Sequence, residues 1–514
     1  MNVEEVTPHA VQEALELIRR HEDLDQSLLR HMNLVRQRVP AGGGTVNAVR
    51  LQVALADLLE ELAWERLHRL RGTTDHPAAA RSLSREEHER LLRADFRRDD
   101  PQLEAWSCLY YRYLAGLDLK VKDIASIARP DQAYPSRQIG RRIRKGIQAL
   151  TRALQFAEEQ ANVETRQSRI MARLPTPSHT RLFGGDSVTA TLAEALQDRQ
   201  GRWIISLEGL GGLGKTAVAR EMVGWAVERD LFADVGWLTA KQEEFVWRRI
   251  KPTGQPALTQ DRLMDEVAAQ LGHPQVLRLP PPEKRDALRQ ILKAAPHLIV
   301  IDNLETAVDH AGLVEGVWEL ANPTRFLLTS REAVLHEGIC SLPLRELAEA
   351  DAVAFARYHA AERGITQLAR ARSDSLRQIH AVTDGNPLAI KLVVGQLAER
   401  SLSCVLEDLV HARGEARAFY RFIYRYAWDS LSPAARAILL QMPHFAISGA
   451  DHQAIAAASG LDERDVDRGI GELVHKSLLN AEGTLEAPLY TIHGLTHHFV
   501  LSDLVKFQER AEDE

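Results

Sequence analysis

The sequence predicts a multidomain α/β + α protein: an all-α N-terminal region, a parallel α/β domain, then a helical domain and a winged-helix domain. Three observations predict it. Apolar residues recur at helical spacing through most of the first third of the chain. Between residues 184 and 345, short apolar runs alternate with amphipathic stretches, the pattern of a parallel sheet covered on both faces. Beyond residue 345 the strand signals fade, and three helical stretches followed by two short strand-like runs form a last group. At 514 residues the chain is long enough for about three or four domains with full cores.

Bulk properties exclude several classes. Hydrophobic residues at 45% and charged residues at 26% are ordinary for a soluble globular chain. A net charge of −7 argues against a protein that coats nucleic acid, while leaving room for a local basic patch. Cys108, Cys340 and Cys404 lie far apart, with no metal-ligand spacing, and point to a reducing compartment without a disulfide framework. The first residues carry Glu4 and Glu5 and no apolar core, so they do not read as a signal peptide. No apolar run approaches the ~18 residues of a membrane span. A cytoplasmic protein without a membrane partner is expected.

Residues 1–100 read as a helical module. Val11, Leu15 and Ile18 share one face, and Val46 to Leu70 places Leu51, Leu55, Leu58, Leu59, Leu62 and Leu67 at helical spacing. Pro40-Ala41-Gly42-Gly43-Gly44 breaks the two stretches. Residues 101–160 read as a second helical domain. Trp106–Leu114 predicts a helix ending near Gly116, and Val121–Ala128 a short second one. Pro130, Asp131 and Pro135 make a turn, after which Ser136 is placed to N-cap a third helix. That third helix puts Ile139, Ile143, Ile147, Leu150 and Leu154 on one face and Arg141, Arg144, Lys145 and Gln148 on the other, with Arg137 and Arg142 near the edges. The pattern resembles the helix-turn-helix of bacterial sigma-factor region four, whose last helix enters the major groove. Arg137, Arg141, Arg144 and Lys145 are then the candidate nucleic-acid contacts. The same face also suits a solvated surface or a protein contact, because charge runs are usually solvated. Residues 161–183, with Leu174-Pro175-Thr176-Pro177-Ser178, are expected to link this region to the next.

Residues 184–345 carry the strand candidates 203–208, Val235–Thr239, Leu298–Ile301, Phe326–Thr329 and Ile339–Leu342, with helices such as Leu263–Leu271 and Glu283–Ala294 between them. The first strand breaks into Gly209-Leu210-Gly211-Gly212-Leu213-Gly214-Lys215-Thr216, after which Val218, Met222, Val223, Ala226 and Val227 recur at helical spacing. This is the P-loop spacing in its strand–turn–helix context. Glycines let backbone N–H groups converge on phosphate oxygens, and the helix N-terminus adds its positive dipole end. The candidate phosphate contacts are Gly209, Gly211, Gly212, Gly214, Lys215, Thr216 and Ala217. Lys215 is placed to reach the β- and γ-phosphates, and the Thr216 hydroxyl to ligate Mg²⁺. Leu298–Ile301 ends in Asp302, the Walker B arrangement, which puts a second Mg²⁺ ligand at the carboxyl edge of the sheet. The strand ending in Ser330 is followed by Arg331, a cation suited to sensing a γ-phosphate.

Residues 346–425 read as a helical domain. Within it, Asn386 N-caps a helix that begins at Pro387 and continues through Leu392, Val393 and Leu397. Residues 426–514 read as a winged helix, with helices over Ser432–Met442, Asp451–Ser459 and Glu463–Leu473 and wing strands Ser477–Asn480 and Leu489–Ile492 around Gly483. Its third helix carries Asp462, Glu463, Asp465, Asp467 and Glu472, so this domain is not expected to bind DNA. His493, His497 and His498 lack the further ligands that a metal site needs.

Five motifs in order resemble the STAND class of signal-transduction ATPases, of the NB-ARC type found in apoptotic and plant immune regulators and their bacterial relatives. They are GLGGLGKTAVA at 209–219, LIVIDNLE at 298–305, LLTSR at 327–331, GNPLAI at 385–390 and YTIHGL at 490–495. The resemblance covers about residues 180–505. It implies that Pro387 packs near the adenine and that His493 touches the β-phosphate of ADP, locking the nucleotide domain against the winged helix. It further implies that exchange to ATP releases the lock and permits self-association. Three departures matter. Asn303 replaces a second acid, which leaves Glu305 as the candidate catalytic base and implies slow hydrolysis. Gly494 replaces the Asp that often follows the His and bears on the strength of the lock. Leu182-Phe183-Gly184-Gly185-Asp186 resembles the motif that opens the nucleotide domain but lacks its usual Arg. No 34-residue or leucine-rich period occurs, so sensing is expected to fall to the N-terminal region or a separate sensor protein.

The expected function is therefore an ATP/ADP-binding signal-transduction switch with output through the N-terminal region, acting on DNA as a transcriptional regulator. One alternative makes that region a protein-interaction adaptor in a bacterial defence or stress system. The other makes the chain a continuously cycling AAA+-like ATPase.

Overall fold

The computed structural model describes residues 3–39, 48–73, 83–130, 135–177, 180–198, 201–241, 243–246, 249–252, 256–397, 400–411, 424, 428–445, 449–476, 478–484, 488–492 and 494–500. The expected break at residues 40–44 lies outside them, as does His493. The chain divides into two units, Met1–Arg169 and Ile170–Glu514.

Among its described residues the first unit contains only helices, chief among them Pro8–Arg20, Ala48–Arg71, Arg85–Arg97, Pro101–Tyr113, Val121–Ala128 and the helix that starts at Ser136. Their apolar stripes meet in one core that includes Val11, Leu15, Leu55, Leu59, Trp64, Phe96, Tyr110, Ile143 and Leu150. Each helix buries one face because its leucines and aromatics recur every three to four residues. Inside that core a charged cluster ties three helices together. Arg71 donates to both Asp95 carboxylate oxygens at 2.8 and 2.7 Å and to the Tyr111 hydroxyl at 3.2 Å, while Ser107 donates to Asp95 at 2.7 Å.

Two expectations for the third helix of the helix-turn-helix-like region are corrected. The helix begins at Ser136 itself, so that residue is its first helical position and not a flanking cap. It then runs for 38 residues to Arg173, through most of the stretch expected to be a linker. The reason is local: residues 157–173 are rich in Ala, Glu, Gln and Arg, good helix formers, and the first proline is Pro175.

The second unit is organised on a parallel five-stranded sheet. In chain order its strands are β1 (Ile204–Glu208), β2 (Val235–Thr239), β5 (Leu298–Asp302), β6 (Arg325–Ser330) and β7 (Ile339–Pro343). They lie in the order β2-β5-β6-β1-β7, and every adjacent pair is parallel. All five expected strands are present, their ends moved by a residue or so. Every residue of β1, β5 and β6 is buried, as a sheet covered on both faces requires. Alternate β5 residues serve different cores. Val300 packs with Val218, Met222 and Val223 of the helix Lys215–Glu228, whereas Ile299 and Ile301 pack with Leu263, Val267 and Leu288. Between β2 and β5 lies an antiparallel pair, β3 (Glu243–Val246) and β4 (Arg249–Pro252), that the sequence reading did not anticipate.

Beyond β7 come the helices Glu349–Glu362, Ser373–Thr383, Pro387–Gln396 and Leu402–Val410. The last described group comprises the helices Pro433–Gln441, His452–Ser459 and Glu463–His475, then the antiparallel pair β8 (Asn480–Gly483) and β9 (Pro488–Thr491), and the helix Gly494–Phe499. The first strand of the pair starts at Asn480, where the sequence reading had it end, and Gly483 is a strand residue. The backbone of Leu478 and Leu479 bonds back to Leu473, so residues 478–479 complete the helix end and postpone the strand.

Candidate nucleotide site

The site grows from the end of β1. Gly209 turns the chain at φ +137°, where an added Cβ would stand 2.5 Å from the Leu344 carbonyl oxygen, so only glycine fits. The loop ends at Gly214, and the helix Lys215–Glu228 begins there with no side chain capping it. Its first N–H groups therefore remain available to an anion. Lys215 folds back over the loop, donating to the carbonyls of Gly209 at 2.6 Å and Leu210 at 3.0 Å. Burial draws its ammonium down to about 8, partly offset by the negative charge of Glu305.

The carboxyl edge of the sheet supplies the acids. Asp302, the last residue of β5, is buried, and burial raises its carboxyl above the usual range. Two hydroxyls converge on its Oδ1: Thr216 donates at 2.7 Å and Thr329 at 2.6 Å. Thr216 and Asp302, placed together as expected, thus share one point beside the phosphate loop. Asn303 follows in the left-handed region at φ +61°, a conformation asparagine tolerates, and turns Glu305 inward. The buried Glu305 carboxylate pairs with Arg331, its Oε1 lying 3.1 Å from Nε and its Oε2 accepting the Arg331 backbone N–H at 3.2 Å. The expected base and the expected sensor are therefore partners.

The opposite wall comes from the helical stretch beyond β7. Gly385 takes φ +73° against the backbone of Leu347, and an added Cβ there would stand 2.1 Å from the Leu347 oxygen. This turn delivers Asn386 and Pro387 to the phosphate loop. The fully buried Asn386 caps its own helix through Oδ1, accepting from Leu388 and Ala389 at 3.0 and 3.1 Å. It also donates from Nδ2 to the Gly211 carbonyl at 3.1 Å. Pro387, Leu388 and Lys391 line a cavity of about 710 Å³, together with residues 211–218, Lys241, Asn303, Glu305 and Arg331. Its apolar end is made by Phe183, Leu347 and Phe355, with the Phe183 and Phe355 rings edge to face at 5.5 Å.

The sequence reading missed Lys391, Lys241 and Glu332. Lys391 was legible in hindsight, lying one helical turn beyond Pro387 and so on the same face. Glu332, next to Arg331, accepts from Lys476 Nζ at 2.7 Å, and the Ala333 N–H donates to the His475 carbonyl at 2.8 Å. The end of the helix Glu463–His475 thereby docks on the loop that carries Arg331. In the first unit, Arg137, Arg141, Arg144 and Lys145 are all exposed, while Ile139, Ile143 and Ile147 of the same helix are buried. Arg142 instead pairs with the buried Glu104 at 2.7 Å.

Fold and site together define a P-loop NTPase domain. Residues 198–332 match the AAA domain family, and this domain is homologous to the disease resistance proteins of the NB-ARC type. The disease resistance protein RPP8 of Arabidopsis thaliana is 27% identical over 168 residues, 32% of this chain and 17% of that protein. A probable disease resistance protein of the same plant is 26% identical over 278 residues, 49% of this chain and 28% of the relative. The chain thus spans less than a third of the length of either relative. Among solved structures, the chain is similar to a STAND protein with a tetratricopeptide repeat sensor from Pyrococcus horikoshii, at 15% identity and TM-score 0.31, over 63% of this chain and 43% of that one. It is also similar to the ORC2 protein of Aeropyrum pernix, at 15% identity and TM-score 0.36, over 66% of this chain and 98% of that one. No helix among the described residues is long and apolar enough to cross a membrane.

Proposed function

We propose that the chain is a switch that binds ADP and ATP in this cavity and passes the difference to its N-terminal region. The observation that carries the reading is the cavity wall. Phosphate loop and Arg331 come from one side, Pro387 and Lys391 from the other, around a single volume. A nucleotide held there contacts both sides and biases their docking through its differential contacts. Residues 184–345 act as the nucleotide-binding domain, 346–425 as the helical domain and 426–514 as the winged helix.

Each residue has a role in this reading. The aromatic and proline wall takes the adenine, Lys215 and the loop N–H groups take the phosphates, and Arg331 senses the third phosphate. The Thr216 hydroxyl and the Asp302 carboxylate, hard oxygen donors 2.7 Å apart, suit Mg²⁺. That ion, when bound, neutralises phosphate charge. Glu305 is the base for slow hydrolysis once Arg331 leaves it. The closed arrangement is held by Glu332 with Lys476 and, in the resembling family, by His493 on the β-phosphate. ATP binding releases it and permits self-association.

The test is to denature freshly purified protein and identify the nucleotide released. Stoichiometric ADP is expected from wild type, none from Lys215→Ala and less from His493→Ala. Nucleotide-free wild type that hydrolyses ATP rapidly would overturn the switch in favour of a cycling AAA+-like ATPase.

The exposed Arg137, Arg141, Arg144 and Lys145, backed by a buried apolar face, support DNA contact by residues 101–160 as the output. A salt-dependent DNA shift should disappear when Arg141, Arg144 and Lys145 become Ala. Wild type that shifts no DNA favours residues 1–165 as a protein-interaction adaptor, with a separate sensor protein as its partner.

A further inference from the structure

We propose that Asn386 is a positioning residue that aims the phosphate-binding N–H groups of the loop, so that nucleotide grip depends on the docked helical domain. The inference rests on the nucleotide reading of the cavity and follows from peptide geometry. In a trans peptide the C=O of one residue and the N–H of the next point in opposite directions from the same plane. The Gly211 carbonyl accepts from Asn386 Nδ2 at 3.1 Å, and the Gly212 carbonyl accepts from the Leu388 N–H at 3.3 Å. Both carbonyls are held toward the Pro387 helix, so the N–H groups of Gly212 and Leu213 face away from it. Both residues line the cavity.

Two details make Asn386 specific to this task. It is fully buried, and its amide is divided between two duties: Oδ1 caps the helix, while Nδ2 alone reaches the loop. The left-handed turn at Gly385 fixes the angle from which it reaches. Glycines at 211 and 212 have little conformational preference of their own, so the loop relies on an outside donor to select one peptide orientation. A preorganised pair of N–H groups binds phosphate more tightly than a pair that must first turn.

Asn386→Asp separates the duties, because the carboxylate still caps the helix but repels the Gly211 carbonyl. Asn386→Ser is a second variant that retains a cap and is too short to donate to the loop. Full-length wild type and both variants are titrated with ADP, AMP and GDP by displacement of a fluorescent nucleotide, and thermal unfolding is followed in parallel. We expect Asn386→Ser to unfold close to wild type and to bind ADP about tenfold more weakly. Asn386→Asp, which buries a charge, should unfold at a lower temperature and lose at least as much ADP affinity. AMP, which lacks the β-phosphate, should lose less, so the ratio of ADP to AMP affinity falls. Unchanged ADP affinity in Asn386→Asp and Asn386→Ser overturns the inference, as does an equal loss for ADP and AMP. Wild type that binds none of the nucleotides overturns the nucleotide reading itself, and this inference with it.

Discussion

On the proposed reading, Lys215 is the residue at which electrostatics and ligand meet most directly. The unfolded chain keeps its proton up to the ordinary lysine value near ~10.4, whereas burial draws the folded value down to about 8. Between those limits the unfolded state holds more protons, so the contribution of this lysine to stability rises with pH across that window. Below it, the buried charge is a constant cost. Phosphate reverses the balance by favouring the ammonium. ADP binding near about pH 8.5 should therefore take up a proton, and near about pH 6.5 it should not. Calorimetry in buffers of different ionisation heat checks this, and Lys215→Arg, always charged, should abolish the uptake. Binding heats independent of buffer at the higher pH would contradict the assigned shift.

At the scale of elements, two tight spots carry predictions. Arg71, Asp95 and Tyr111 join the helices Ala48–Arg71, Arg85–Arg97 and Pro101–Tyr113 by a buried pair. Asp95→Ala strands a guanidinium and should cost roughly 3–5 kcal/mol in urea unfolding, while Arg71→Met with Asp95→Leu should recover most of that. Gly385→Ala places a methyl group against the Leu347 backbone at positive φ, and should cost on the order of 1–3 kcal/mol and weaken nucleotide binding. Elements were also what the sequence disclosed best. The strands β1, β5 and β6 announce themselves because a strand buried on both faces must be a near-continuous apolar run. The phosphate loop is legible because its chemistry is local, a fixed spacing of eight positions. The β3–β4 pair was not, since Glu243, Glu244, Arg249 and Lys251 give no apolar alternation. Nor could spacing show that Asn386 meets Gly211 across 175 residues, or that Lys476 meets Glu332 across 144. Asn386 already had a sufficient local explanation as a helix cap, which hid its second partner.

At the largest scale, the Glu332–Lys476 pair is one of the contacts that dock the end of the helix Glu463–His475 on the loop that carries Arg331. Both side chains are only 11% exposed, so the pair is little screened. Lys476→Ala should leave the phosphate loop intact and raise the rate of ADP release several-fold, measured by stopped-flow chase of a fluorescent ADP. A release rate equal to wild type would remove the clasp from the switch.

The Arg331 guanidinium pairs with Glu305 through Nε. On the proposed mechanism a diphosphate leaves that attachment undisturbed, while a triphosphate competes for it. The same displacement that registers the third phosphate frees the carboxylate that helps to remove it. Cleavage then destroys the competitor, and Glu305 takes its arginine back. Detection and erasure become one reversible trade between two carriers of negative charge, so the active state has a lifetime written into it without any outside agent to end it.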